Sequence, residues 1–112
     1  MEIFKQLKKL GYKHYIDLTI EELDALPIDN VEKTIEYSLI IDWFRNKYNL
    51  LIDSPKLDVW NIGKWSVKIT SLDNSIVLEK YVGQPYWRIY RCFRIYEEAR
   101  ESAILKCIEL LN

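Results

Sequence analysis

Apolar positions recur at helical spacing over residues 2–10, where Ile3, Phe4, Leu7 and Leu10 lie opposite Lys5, Lys8 and Lys9, and Gly11 is a natural stop. This predicts a short amphipathic helix. Thr19 and Glu22 stand at capping-box spacing, in which the threonine oxygen accepts from a free amide while the glutamate reaches back to the amide of the cap. A second short helix follows, anchored by Leu23 and Leu26 and closed by Pro27. A third begins at Asp29 or Asn30, with Asp29 and Glu32 at the same capping spacing, and runs to about Tyr48 through Val31, Ile35, Leu39, Trp43 and Phe44. Asn49 can take the left-handed conformation that ends helices, and Leu50 to Ile52 reads as a short extended segment before Asp53, Ser54 and Pro55 break it.

From Val59 to Thr70 the period becomes two. Trp65, Val67 and Ile69 share one face and Lys64, Ser66, Lys68 and Thr70 the other, as in a half-buried strand. Trp60 and Ile62 are out of phase with that set, and a bulge at Gly63 would bring the two registers to the same side. Asp73 and Asn74 turn the chain into a second strand at about Ser75 to Val82, and Gly83 to Pro85 turn it into a third at about Tyr86 to Arg94. After Phe93 the helical period returns: Ala99, Ala103, Ile104, Cys107, Ile108 and Leu111 line one face, with Glu97, Glu98, Glu101, Lys106 and Glu109 outside. The expectation is an α+β fold in a single domain over residues 1–112. Short N-terminal helices (1–28) pack on an α-β-β-β-α core (29–112), a three-stranded antiparallel meander with the helices on one face.

Composition narrows the chemistry. An apolar fraction of 49%, with three glycines and three prolines, describes a globular chain with little room for disorder. A net charge of -1 favours neither nucleic acid nor an anionic membrane in bulk, so any charge argument is local. No apolar run approaches a membrane span or a signal peptide, and the two cysteines with one histidine are too few for a zinc site. A reducing cytoplasm is the expected setting, and no cofactor or metal is expected.

His14 could serve as a general base only with an orienting carboxylate, for which Asp17 is the nearest candidate, and Cys92 could be activated by Arg91 or Arg94. The plainer readings are a half-buried or surface histidine and a small strand residue, with Cys107 in the core, so no catalytic residue is assigned. The acidic run Asp17, Glu21, Glu22, Asp24, Asp29, Glu32 and Glu36 suits helix capping and solubility more than a metal site. Between Lys80 and Tyr96, cationic and aromatic residues interleave. On the third strand Trp87, Ile89 and Phe93 fall on one face, and Tyr86, Arg88, Tyr90, Cys92 and Arg94 on the other. Tyrosine with arginine is the composition of protein interfaces, and stacking residues with cations are also what single-stranded nucleic acid uses. The candidate interaction residues are therefore Tyr81, Tyr86, Arg88, Tyr90, Arg91 and Arg94. A protein partner or a second copy of the chain is favoured over a plain solvated face, and that over nucleic acid, and no small-molecule substrate is evident.

The order helix, three strands and helix over residues 31–112, closing with Glu98 to Leu111, resembles the topology of a double-stranded RNA-binding domain. Where such domains carry a lysine cluster at the start of the last helix, this chain has Tyr96-Glu97-Glu98-Ala99-Arg100, and acids there would repel a phosphate backbone. The resemblance implies the topology and none of the RNA contacts. The segment Ile41-Asp42-Trp43-Phe44-Arg45 before an aromatic meander and a closing Tyr96-Glu97-Glu98-Ala99-Arg100 helix also resembles small phage and prophage proteins. That likeness, over about residues 35–112, supplies a mobile-element context and no mechanism; within it the expectation is a noncatalytic interaction or accessory protein.

Overall fold

The structure, a computed structural model, describes residues 2–57, 64–73, 86–93 and 95–112, with the backbone alone described for 86–92. The elements are α1 (Ile3–Lys9), α2 (Ile20–Ala25), α3 (Val31–Tyr48), β1 (Leu50–Ile52), β2 (Lys56–Leu57), β3 (Trp65–Ser71), β4 (Tyr86–Phe93) and α4 (Tyr96–Leu111). The fold is α+β, as the periodicities require.

Helix ends follow local chemistry. Gly11, at φ +100°, closes α1 with two return bonds, from the Gly11 amide to the Lys8 carbonyl and from the Tyr12 amide to the Leu7 carbonyl, each 3.0 Å. This is the paired-bond helix stop that a glycine with positive φ permits. At its other end, the free amides of Phe4 and Lys5 donate to the two carboxylate oxygens of Asp24, at 2.8 and 3.3 Å, so α2 caps α1 across space. The Thr19–Glu22 box forms in both directions. Of the two candidates for the cap of α3, Asn30 takes the position, its side chain accepting from the Lys33 amide, and Asn49 ends the helix at φ 54°.

The buried face of α3 differs from the one its spacing suggests. Tyr37, Ile40 and Phe44 are fully buried, together with Lys33 and Glu36, whereas Val31 and Ile35 are exposed. An α-helix with apolar residues on most of its circumference offers more than one stripe at spacing four. The stripe chosen here is the one whose polar members, Lys33 and Glu36, find partners inside.

Two short segments that precede β3 also join the sheet. Strand β3 has β4 on one side, with Ile69 opposite Trp87 and Val67 opposite Ile89. Its other side is taken at one end by β1, Leu50 opposite Ser71, and at the other by β2, Leu57 opposite Trp65. Strands β1, β2 and β4 thus all pair with β3. The expected strand at 75–82, the turn at 83–85 and the bulge at Gly63 lie outside the described residues. Leu50–Ile52 follows directly from the Asn49 turn at the end of α3 and lies along β3. An irregularity does occur further along, where Trp65 and Val67 on β3 face Phe93 and Ile89, so that β4 carries two extra residues.

Leu50, Ile52, Val67 and Ile69 enter one core with the inner faces of α3 and α4. Ala99 and Ala103 are fully buried on α4, which packs directly on β3. Small side chains allow that close approach, and Trp65 meets Tyr96 edge to face at 5.4 Å beside it. Helix α4 starts at Tyr96 with no side-chain cap from Ile95.

Candidate functional site

Among the described residues, the outer face of α3 leaves large apolar side chains exposed. Val31 is 71% exposed and Ile35 52%, one helical turn apart, and Leu39 continues the same ridge. Beside the C-terminal half of the helix, the chain between α1 and α2 forms a wall carrying Tyr15, which is 77% exposed. Between wall and helix lies a cleft of about 340 Å³, lined by Gly11, Tyr12, Lys13 and Tyr15 on one side and by Leu39, Asp42, Trp43 and Asn46 on the other.

Glu36 builds this cleft from inside. Its carboxylate accepts from the Tyr15 and Ile16 amides at 2.6 and 2.8 Å through one oxygen and from the Tyr12 hydroxyl through the other. These bonds hold the wall against α3. Burial, and then the bond to Glu36, push the Tyr12 phenol well above its ordinary range, so it stays protonated. Tyr12 also meets Trp43 edge to face at 5.4 Å, while the Lys47 ammonium lies 5.2 Å over the Trp43 ring and donates to the Leu10 carbonyl at 3.2 Å. The cleft is therefore a rigid socket with aromatic walls.

The charges around it are unevenly placed. Glu32 and Asp29 sit at the N-terminal end of α3, and Arg45 on the exposed side of its C-terminal half, with Lys13 on the cleft wall. Among the described residues, Glu32, Asp42 and Arg45 form no ion pair.

The sequence candidates are distributed differently. Tyr86, Arg88, Tyr90 and Arg91 lie on β4, whose register sets Tyr86 opposite Thr70 and Arg88 opposite Lys68. Tyr81 and Arg94 lie outside the described residues. His14 makes its hydrogen bond to the Leu18 carbonyl at 2.7 Å, which places the ring proton on Nε2, and none joins it to Asp17. Cys107 is buried, and burial pushes its thiol up and away from reactivity. The acidic run divides among separate tasks: Asp24 caps α1, Glu22 caps α2 and Glu36 holds the cleft wall. No group of three histidine, cysteine or acidic residues among those described could hold a metal ion.

A second buried cation lies between the helices. Arg100 is almost fully enclosed, donates to the Ser38 hydroxyl and the Thr34 carbonyl at 3.2 Å each, and lies against the rings of Tyr37 and Tyr96 at 5.8 and 5.4 Å. Tyr37 in turn donates to Glu101 at 2.6 Å, tying α3 to α4. This arrangement fixes the interior under Ser38 and makes α3 a stiff platform. The periodicity of α3 carried one signal of its outer face: an 18-residue helix with apolar residues on most sides has more apolar surface than one sheet can cover.

No described helix is long and apolar enough to cross a membrane. Comparison with protein-family models, curated proteins and solved structures finds no match to this chain.

Proposed function

We propose that this chain is a noncatalytic interaction domain, which receives an apolar helical ridge of a protein partner on the outer face of α3 and in the cleft beside it. The observation that carries this reading is the exposure of Val31, Ile35 and Tyr15 in line with a preformed aromatic socket. Apolar anchors beside a rigid pocket are the pattern of helix-in-groove recognition. The groups in the cleft favour binding over catalysis: the Tyr12 phenol is held protonated, and Lys13 and Asp42 stand at the rim with no nucleophile between them.

Photo-crosslinking in cells expressing the whole chain tests the reading. A photoreactive residue at position 35 is expected to give protein adducts, and one at position 57 on the sheet edge to give few. Absence of adducts at 35, with adducts at 57, would overturn it.

The register that sets Arg88 beside Lys68 supports a second reading, in which β4 meets nucleic acid with Tyr86, Tyr90 and Arg91. A gel shift with single-stranded RNA and DNA at low salt, lost on raising the salt, would support it, and no shift at low salt would end it.

A further inference from the structure

We infer that the cleft beside α3 is a small-molecule site whose ligand is an amphipathic zwitterion: an amino acid with a large apolar side chain, free or within a short peptide. This goes beyond the protein contact proposed above and concerns only the part of that face next to Leu39, Asp42 and Asn46.

Size sets the first limit. A cleft of about 340 Å³ lies at the low end of the roughly 300–1,000 Å³ that small-molecule sites occupy, so it takes one compact body. Its walls select an apolar one. Tyr12 and Trp43 meet edge to face at 5.4 Å, with the Tyr12 hydroxyl tied to Glu36, and the Tyr15 backbone is held by the same carboxylate. Aromatic walls fixed in this way receive an apolar group without first having to order themselves.

Charge sets the second limit. Lys13 lies on one wall and Asp42 on the other. Among the described residues the ion pairs are Lys5 with Glu2 and Lys106 with Glu109, so Lys13 and Asp42 close neither on each other nor on another residue. The Glu36 carboxylate is already taken by three hydrogen bonds, and the Lys47 ammonium donates to the Leu10 carbonyl, outside the lining of the cleft. A ligand with a single charge would gain from one of the two rim groups and lose to the other. An ammonium and a carboxylate on one molecule satisfy both, at Asp42 and at Lys13. The Asn46 side-chain amide, also on the lining, has no partner among the described residues and can serve either charge.

Heteronuclear NMR titration of the whole chain tests the inference. L-phenylalanine is expected to give saturable shifts at the Trp43 indole N–H and at the backbone amides of Lys13, Tyr15 and Asn46, and none at Glu109. Binding weakens about two- to fivefold for N-acetylphenylalanine, which lacks the ammonium, and for phenylalaninamide, which lacks the carboxylate. Glycine, with no apolar body, gives no shift. Asp42→Asn removes the preference for phenylalanine over its N-acetyl form, and Lys13→Gln the preference over its amide. Tyr15→Ala weakens binding while the circular dichroism spectrum stays unchanged. Tighter binding of phenylalanylglycine than of phenylalanine assigns the site to peptides, and weaker binding to free amino acids. No saturable shift, shifts away from the cleft, or equal affinity for phenylalanine and its blocked forms overturns the inference. If phenylalanine leaves the cleft unmoved while position 35 still crosslinks to protein, the ligand site fails and the interaction reading stands.

Discussion

Removing the Glu36 carboxylate separates the part it plays in stability from mere helix content. Glu36 is fully buried and accepts three hydrogen bonds, from the Tyr12 hydroxyl and from the amides of Tyr15 and Ile16. In Glu36→Ala the Tyr12 hydroxyl is left inside without an acceptor, at about 1–3 kcal/mol, and the two half-buried amides lose a charged acceptor at about 1 kcal/mol each. The release of a carboxylate from a dry site offsets part of this, which leaves a net loss of about 3 kcal/mol. Glu36→Gln keeps one oxygen for both amides, and its amide group can donate to the Tyr12 oxygen, so the loss is about 1 kcal/mol. With a urea slope of about 1.5 kcal/mol per molar, the midpoint falls by about 2 M for alanine and by less than about 1 M for glutamine. Tryptophan fluorescence follows the unfolding, and hydrogen exchange at the amides of Tyr15 and Ile16 reports the wall directly. Equal midpoints for the two variants, or an alanine variant within about 0.5 kcal/mol of wild type, would refute the view that three bonds to one carboxylate hold the cleft wall.

Alkaline unfolding is a second test. Burial first, then bonds to Glu36 and Glu101, raise the phenols of Tyr12 and Tyr37, which in the unfolded chain ionise near 10.0. Below that pH both states hold the proton and stability is flat; above it only the folded state does, so stability falls by about 1.4 kcal/mol per pH unit for each phenol. Titrated by circular dichroism, Tyr12→Phe and Tyr37→Phe should each reduce that slope by one increment, and unchanged slopes would contradict the assignment. Gly11→Ala should cost about 1–2 kcal/mol in a thermal melt, because φ +100° is strained for any side chain and a Cβ would lie 3.0 Å from the Lys47 ammonium. Ala103→Leu should cost about 1–3 kcal/mol by overfilling the seam between α4 and β3, whereas Glu109→Ala on the exposed side of the same helix should cost under about 0.5 kcal/mol.

Features whose two partners lie close in sequence were legible before any coordinates. The Thr19–Glu22 box, the Gly11 stop, the Asn49 stop and the small pair Ala99 and Ala103 each follow from residues within one or two turns. The buried side of α3 was not legible in that way. Val31, Ile35, Leu39 and Trp43 satisfy the same spacing as Tyr37, Ile40 and Phe44, and the choice depends on the partners that Glu36 finds at Tyr12, Tyr15 and Ile16, more than 19 residues away. The pairing of Leu50–Ile52 with β3 was not legible for a related reason: hairpin turns are local signals, whereas this pairing depends on where α3 ends above the sheet. The cleft was invisible because one wall comes from the chain between α1 and α2 and the other from α3. No periodicity within either segment announces that they meet.

The position of α4 sets the timing of folding. This helix packs against α1, α3, β1, β3 and β4, and it supplies Ala99, Ala103, Ile104, Cys107 and Ile108 to the core. On the ribosome, the sheet is therefore complete about 1–4 s before the helix that shields it from water. Until α4 is made the nascent chain leaves an apolar layer open, the kind of surface that makes incomplete chains prone to aggregation. Residues 96–111 complete this core, and a stop codon placed just before Tyr96 is expected to yield an insoluble fragment rather than a weakened domain.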